Sequence, residues 1–458
     1  SALVKATFGG VTEMGEKTFR NAPLLSVVEF GQGTTVIAPE AFMSETKRTN
    51  LVEVVLPDGV KKIGNKAFAN CVSITGINLN GTETVGEFAF YGCTNLKDVK
   101  FDTIVTIGEA AFSDTGVTAA ELDKAKDIGA YAFNGSQLEK ASFGALESVG
   151  AYAFSYTKLT EVVLPSSFDK VYKDYNWTEY DEKGRVDEVR SRKIYSYGSG
   201  AFSAIETLKS ITANGKNIYS ADGVLYAKTT DGNILLQYPA AKTGDTYETI
   251  ADPISIANSA FMGVNILGSV KFVYTVAEIG DYAFFDSSVK EYEFNSVEAP
   301  ALLSEFEDVD DEPYSVKKVM FGRSDANHYY GFTIYYANFY DYAAKVIYSA
   351  KLNAMGFEVP TDFGLKAIVP KNGKGYDTPI WNAFFTVERT SEILPDKATN
   401  AFVEQIKAIK AEKSLEELKN ASSISEIEKI AGLTAAARKA YNAITSPDQL
   451  SLLTSEIS

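Results

Sequence analysis

Ile63-Gly64-Asn65-Lys66-Ala67-Phe68 is a six-residue word, aliphatic-Gly-x-x-Ala-Phe, and it keeps returning. Its copies are Val85-Gly86 to Ala89-Phe90, Ile107-Gly108 to Ala111-Phe112, Ile128-Gly129 to Ala132-Phe133, and Val149-Gly150 to Ala153-Phe154. Later copies end at Phe202, Phe261 and Phe284, and weaker ones at Phe19 and Phe42. The period is roughly 21 to 23 residues, a solenoid spacing, with two large insertions before Phe202 and Phe261. Five or six residues after most of these Phe comes a second word, L-x-x-V-x-L. It appears as Leu51-Val54-Leu56, Leu96-Val99-Phe101, Leu138-Ala141-Phe143, Leu159-Val162-Leu164 and Val289-Tyr292-Phe294. Its last three positions alternate in and out, as in a short strand with one buried face.

Each repeat thus yields a strand, a turn and a tight segment whose Phe points inward. A unit this small cannot bury its apolar face alone, so copies must stack, with strands side by side in a parallel sheet and Phe side chains in a column. At about 4.8 Å per strand, ten or eleven coils make a rod on the order of 50 Å long. The Gly serves either a backbone of positive φ or a close approach between coils, and the Ala leaves room beside the Phe.

Composition narrows the function classes. The 458 residues carry a net charge of −16, which disfavours a phosphate backbone as partner, so no nucleic acid is expected. One histidine, His328, and two cysteines, Cys71 and Cys93, rule out sites needing several His or Cys ligands, and any Ser-His-Asp or Cys-His device not built on His328. No apolar run reaches the roughly 20 residues of a membrane-spanning helix. Ser1-Ala2-Leu3-Val4-Lys5 lacks the pattern of a signal peptide, which a mature chain would have lost.

The two words and their spacing resemble the BspA-like leucine-rich repeats of bacterial surface proteins over residues ~10–300. Asn217-Ile218-Tyr219 to Leu225-Tyr226, followed by Leu235-Leu236-Gln237-Tyr238-Pro239, looks like the hairpin insertion that recurs in that family. The resemblance implies a leucine-rich repeat solenoid with one short parallel strand per 21–23-residue coil. It also implies an extracellular, surface-attached or secreted bacterial protein of non-catalytic type, mediating adhesion or binding a protein or glycan of a host or neighbouring cell. The signal peptide or anchor would lie outside this sequence. The alternatives are a passive spacer or scaffold in the envelope and, behind it, a glycan-active enzyme.

The expected organisation is a solenoid over 1–300 with hairpin insertions at ~166–196 and ~214–250, a mixed α/β cap over 301–395, and a C-terminal α-helical bundle over 396–458. The cap is expected from the loss of the repeat and the aromatic cluster from His328 to Tyr348, since a solenoid needs its open end covered. Helix-start signals at Ser414-x-x-Glu417, Ser423-x-x-Glu426 and Ser446-Pro447 mark the bundle.

No catalytic residue, metal site or cofactor is nominated. His328 reads as a packed side chain, and the acidic run Glu305 to Glu312 as a solvated loop rather than a Ca²⁺ site. Cys71 and Cys93 occupy one slot in adjacent coils, and parallel side-chain directions make them a buried thiol pair. The outward strand positions, such as Glu53 and Val55 or Asp98 and Lys100, are mixed in charge and poor in aromatics. The expected contact site is instead the first insertion, which supplies Tyr172, Tyr175, Trp177, Tyr180 and Arg185, residue types that dominate interface hot spots. Removing 168–194 is expected to leave the solenoid folded and to weaken partner binding.

Overall fold

The computed structural model describes residues 3–300 apart from 10–13, 48, 181–185, 231, 251–253, 274 and 281. It continues with 321–322, 365–377, 381–382, 385–394 and 397–411, and with positions 432, 435–444, 449 and 452–453. His328, the acidic run 305–312 and the helix starts at 414 and 423 lie outside the described residues.

The strands expected from L-x-x-V-x-L are present and pair in parallel. Val27–Phe30 lies between Lys5–Phe8 and Glu53–Val55, and Gly76–Ile77 pairs with Asp98–Val99. Ala119–Glu121 pairs with Lys140–Ser142, and Glu161–Val163 with Ser210–Thr212. The coils up to residue 149 add a second, two-residue strand that ends on the aliphatic residue of the aliphatic-Gly word. Val36, Lys62, Thr84, Thr106, Asp127 and Ser148 stand in one register across a six-stranded parallel sheet. A coil is therefore clamped to its neighbours on two sides.

Between the two sheets the Phe column forms. The rings of Phe42, Phe68, Phe90, Phe112, Phe133 and Phe154 stack in sequence at 5.2 to 5.3 Å between centroids. That spacing matches the separation of paired strands and suits offset stacking. Each Phe also donates its backbone N–H to the next coil's Ala carbonyl, as in Phe90 N to Ala111 O at 2.8 Å, so the ring position is held by main-chain bonds.

The repeat glycine answers to close approach rather than to φ. A Cβ on Gly150 would lie 2.3 Å from Ala130 N, because one coil's word is laid directly on the word before. The positive φ falls two residues later, on Lys66 (56°), Phe88 (56°), Tyr131 (57°) and Tyr152 (54°). That a bulky residue repeatedly takes this disfavoured region shows that the inter-coil bonds over-determine the turn.

Cys71 and Cys93 are free, fully buried thiols. They donate to Phe42 O and Phe68 O, each at 3.1 Å. Burial pushes the Cys71 thiol well up and the Cys93 thiol up to about 12.

The second insertion becomes a partition. Ile218–Ala221, Val224–Thr229 and Gly232–Gln237 form an antiparallel set whose last strand pairs in parallel with Ile254–Ile256. Leu225, Ala227 and Leu236 face the core of the coils before it, while Val224, Tyr226 and Leu235 face the core of the coils after it. A sheet buried on both faces reads as a continuous apolar run, which is how Val224 to Ala227 reads. Tyr238 then takes the Phe slot: its N–H donates to Ala260 O at 2.8 Å and its ring stacks on Phe261 at 5.1 Å. Gln237, 1% exposed, accepts from Tyr197 Oη at 3.0 Å and donates to Ala260 O at 3.1 Å.

The sheet does not stop at residue 300. Leu365–Val369 pairs in parallel with Glu291–Phe294, and Phe385–Arg389 with Leu365–Val369. Trp381 and Phe385 pack edge-on against Phe294. Within the stretch expected to form a mixed α/β cap over 301–395, these described strands prolong the sheet of the solenoid. Phe321–Gly322 also joins it, on Phe284–Phe285. Beyond, the helix Lys397–Ala411 buries Phe402 in a small core with Ala437, Ile444 and Leu453.

Burial holds the Tyr238 hydroxyl up to about 12 and raises those of Tyr226 and Tyr247 well above the usual tyrosine range. An unfolded tyrosine ionises near ~10 and a cysteine near ~8.5. Above those values the unfolded chain binds fewer protons than the folded one, so stability falls as pH rises. The melting temperature is expected to hold to about pH 9 and to drop steeply from there to about pH 12, with the buried tyrosines' share of the phenolate absorbance appearing only together with loss of strand circular dichroism. Phenolate absorbance from all 26 tyrosines well before unfolding would contradict the burial of these hydroxyls.

Candidate functional site

The first insertion leaves the coil between its two strands. Pro165 ends the first strand's apolar face, Phe168 turns inward at 1% exposure, and the chain then runs out along Tyr172–Tyr180 and back along Val186–Tyr195. Aromatic and β-branched residues on both arms favour the extended state. The arms pair antiparallel, with Tyr172 opposite Tyr195, Tyr175 opposite Arg192, and Trp177 opposite Arg190. The register shifts between Glu179 and Tyr180.

The base of the ribbon is pinned from several directions. Ser196 N donates to Val171 O at 2.9 Å, and Val149 bridges Tyr197 in the second sheet. Lys173 Nζ reaches Ser148 Oγ at 2.6 Å and Asp127 Oδ1 at 3.3 Å, on two earlier coils. The rings of Tyr172 and Tyr195 lie 4.9 Å apart and are 44% and 50% exposed. Desolvation, with the neighbouring Tyr172 hydroxyl, pushes the Tyr195 hydroxyl up to about 12. Meanwhile Phe154 and Phe202 stack at 5.1 Å beneath the insertion, so the core column passes under it uninterrupted.

Of the residues nominated from the sequence, Tyr172 is exposed at the ribbon's base, while Tyr175, Trp177 and Tyr180 occupy the outgoing strand. Arg185 lies outside the described residues. By pleat alternation, positions 173, 175 and 177 share a face with their partners 194, 192 and 190. Sequence reading passed over Arg190 and Arg192, and over Tyr195. Their signal was present, as Arg-x-Arg mirroring Tyr-x-Trp about the turn, yet only the register turns that mirror into neighbours.

The proposed deletion of 168–194 needs correcting. Phe168 belongs to the core, and Asp169 Oδ1 accepts from Asn217 N at 2.6 Å and from Ile218 N at 2.9 Å, tying this coil to the partition. The removable part begins after Tyr172.

Elsewhere the surface offers less. The outward face of the first sheet carries exposed ion pairs, Lys271 with Glu293 at 3.1 Å and Lys366 with Glu388 at 2.9 Å. Such pairs contribute little stability. Among the described residues no group of three His, Cys, Asp or Glu could hold a metal ion, and no helix is long and apolar enough to cross a membrane.

The model of the BspA type leucine-rich repeat region matches the chain in six copies, over residues 12–137, 61–179 and 247–301. A leucine rich cell surface protein from Faecalibacterium prausnitzii A2-165 has a similar structure, with a TM-score of 0.50 at 17% identity, over 85% of this chain and 88% of that one. A leucine-rich repeat protein from Bacteroides ovatus ATCC 8483 gives 0.46 at 19% identity, over 85% and 84%. The pneumococcal vaccine antigen PcpA gives 0.44 at 16%, over 86% and 80%. No curated protein matches this sequence.

Proposed function

From the premise that this chain belongs to the BspA-type leucine-rich repeat family, we propose that it is a non-catalytic binding protein of the bacterial cell surface, engaging an extracellular protein or glycan of a host or neighbouring cell. The observation that carries this reading is the ribbon Tyr172–Tyr195, long arms with aromatic and arginine positions set on a rod that does not need them. Stacked coils supply a rigid support at a fixed spacing, and a rigid support lowers the ordering cost of binding. Tyr172, Tyr175, Trp177, Tyr180 and Arg185 are the proposed contact residues, in the residue types that anchor interfaces.

The test is a binding screen of the intact chain and of a variant in which 173–194 is replaced by a short Gly-Ser link, against immobilised matrix proteins and a glycan array. The variant is expected to melt within about 2 °C of the parent, since the core residue Phe168 and the contacts of Asp169 are kept, and to lose the parent's hits. Hits retained in full by the variant overturn the assignment. Silence of both proteins across the panel supports a passive spacer in the envelope instead.

A further inference from the structure

We propose that the tight-turn face of the coils around Tyr131, Tyr152 and Tyr156 binds an uncharged, β-linked polysaccharide chain. The site uses other residues than the ribbon and does not depend on it.

The first observation is where charge is missing. The turn segments 129–136, 150–157, 198–205 and 257–265 contain no Asp, Glu, Lys, Arg or His, although charged residues make up 23% of the chain. The same turn carries Lys66, then Glu87, then Glu109 with Asp114 in the coils before, and Asp286 in the coil after. Both signs flank the uncharged turns, with Lys126, Asp127 and Glu147 before them and Glu139, Lys158 and Glu206 after them. Lys126 is itself paired with Glu147 at 3.3 Å.

The second observation is what stands there. Tyr131 and Tyr152 stack at 5.4 Å between centroids, one ring per coil. Tyr156, 40% exposed, closes the turn that Tyr152 opens. All three sit at positive φ, between 54° and 59°, where a bulky residue is disfavoured. The core does not require rings at these slots, since other coils fill them with Lys66, Ala110 or Gly135. Small residues surround them: Gly135 and Ala204 hold the slot of Tyr156 in the adjoining coils, and Tyr152 passes Gly200 to reach Ser259 Oγ at 2.9 Å. A Cβ on Gly200 would lie 2.9 Å from the Tyr152 ring.

Together these select the occupant. A tyrosine ring joins an apolar face to a polar tip. A pyranose has the matching form, with C–H bonds on its face and hydroxyls at its rim, and needs no countercharge. An acidic glycan or a basic peptide would be desolvated against turns that offer no opposite charge. A protein partner needs an apolar core of interlocking side chains, and the neighbours of these rings are glycine and alanine. A β-linked pyranose chain is also extended and advances by close to one coil spacing per sugar, which keeps sugars and rings in step.

Cellohexaose is titrated into the full chain by isothermal calorimetry. Saturable binding is expected, unchanged between low and high salt because no ion pair forms. In the Tyr131→Asn/Tyr156→Asn variant the affinity is expected to fall at least about tenfold, through loss of two stacking contacts. Asparagine tolerates positive φ, so the variant is expected to melt within about 2 °C of the parent. Should the double variant fail to fold, Tyr156→Asn alone, at the most exposed of the three rings, is expected to weaken binding measurably. Unchanged affinity in a folded variant, no binding by the parent, or binding only of a heparin hexasaccharide that salt abolishes overturns the inference. Loss of cellohexaose binding on replacement of 173–194 overturns it too, by moving the sugar to the ribbon, and leaves the ribbon reading intact. Neutral glycans are therefore set apart from the hits that the ribbon variant is expected to lose.

Discussion

Replacing Phe112 by alanine is expected to lower the unfolding free energy by about 4 kcal/mol, the middle of the range for a buried aromatic. Its ring is fully buried, stacked on Phe90 at 5.2 Å and Phe133 at 5.3 Å, with Phe101 edge-on at 5.2 Å. Truncation opens a void in a column whose backbone is clamped by two sheets, so the neighbours have little freedom to collapse into it. In a stacked-repeat protein the damage stays with the coils that share the interface. The partition formed by 218–237 separates two cores, and the transition of the 25–236 core is expected to move down while that of the 224–387 core stays. Differential scanning calorimetry distinguishes the cases. A single transition shifted as a whole would mean that the partition couples the two halves rigidly. Phe19→Ala, at the partly buried end of the column, is expected to cost no more than about half as much.

Gly198→Ala is the second large effect, because one added methyl has nowhere to go. Its Cβ would lie 2.2 Å from Ala151 N and 2.3 Å from Gly150 C, both main-chain atoms of the preceding coil. The two coils must part, and with them the bridge between Val149 and Tyr197 and the bond from Gly198 N to Val149 O at 2.8 Å. A cost of about 3 kcal/mol is expected, the upper end for overpacking. Chemical denaturation of the variant measures it. Gly9→Ala, where nothing lies within 4 Å of the added atom, is the matched control and is expected to change stability by less than about 0.5 kcal/mol. An equal effect at both positions would show that loss of glycine flexibility, not contact between coils, is what matters.

The ribbon divides what was legible from what was not. Two alternating stretches around Asp181-Glu182-Lys183-Gly184-Arg185 announce a hairpin, and the return of the repeat word at Phe202 after Phe154 announces that the core column continues past it. A deletion starting at 168 reaches into the core, because Phe168 and Asp169 look like loop residues until the partition at 217–218 is packed beside them. Tyr238 was missed as a member of the column for a related reason. It lacks the Gly and Ala of the word, and only its bond to Ala260 shows that it fills the slot.

Fold class, period, the inward Phe and the position of the thiol pair follow from the sequence alone, because a short repeat with one apolar face has a single way to hide it, which is to stack on its own copies. What needed the tertiary structure is everything that depends on contact between distant segments. The second strand of a coil, two to four residues long, is too short for an alternation to read. The partition buries both faces of a stretch that in sequence is indistinguishable from an ordinary apolar run, and the strands at 365–389 rejoin the sheet after a gap in the repeat. The pairing of Tyr175 with Arg192 and Trp177 with Arg190 belongs to the same class. Composition lists those residues, but the backbone register of the two arms decides which positions lie opposite one another.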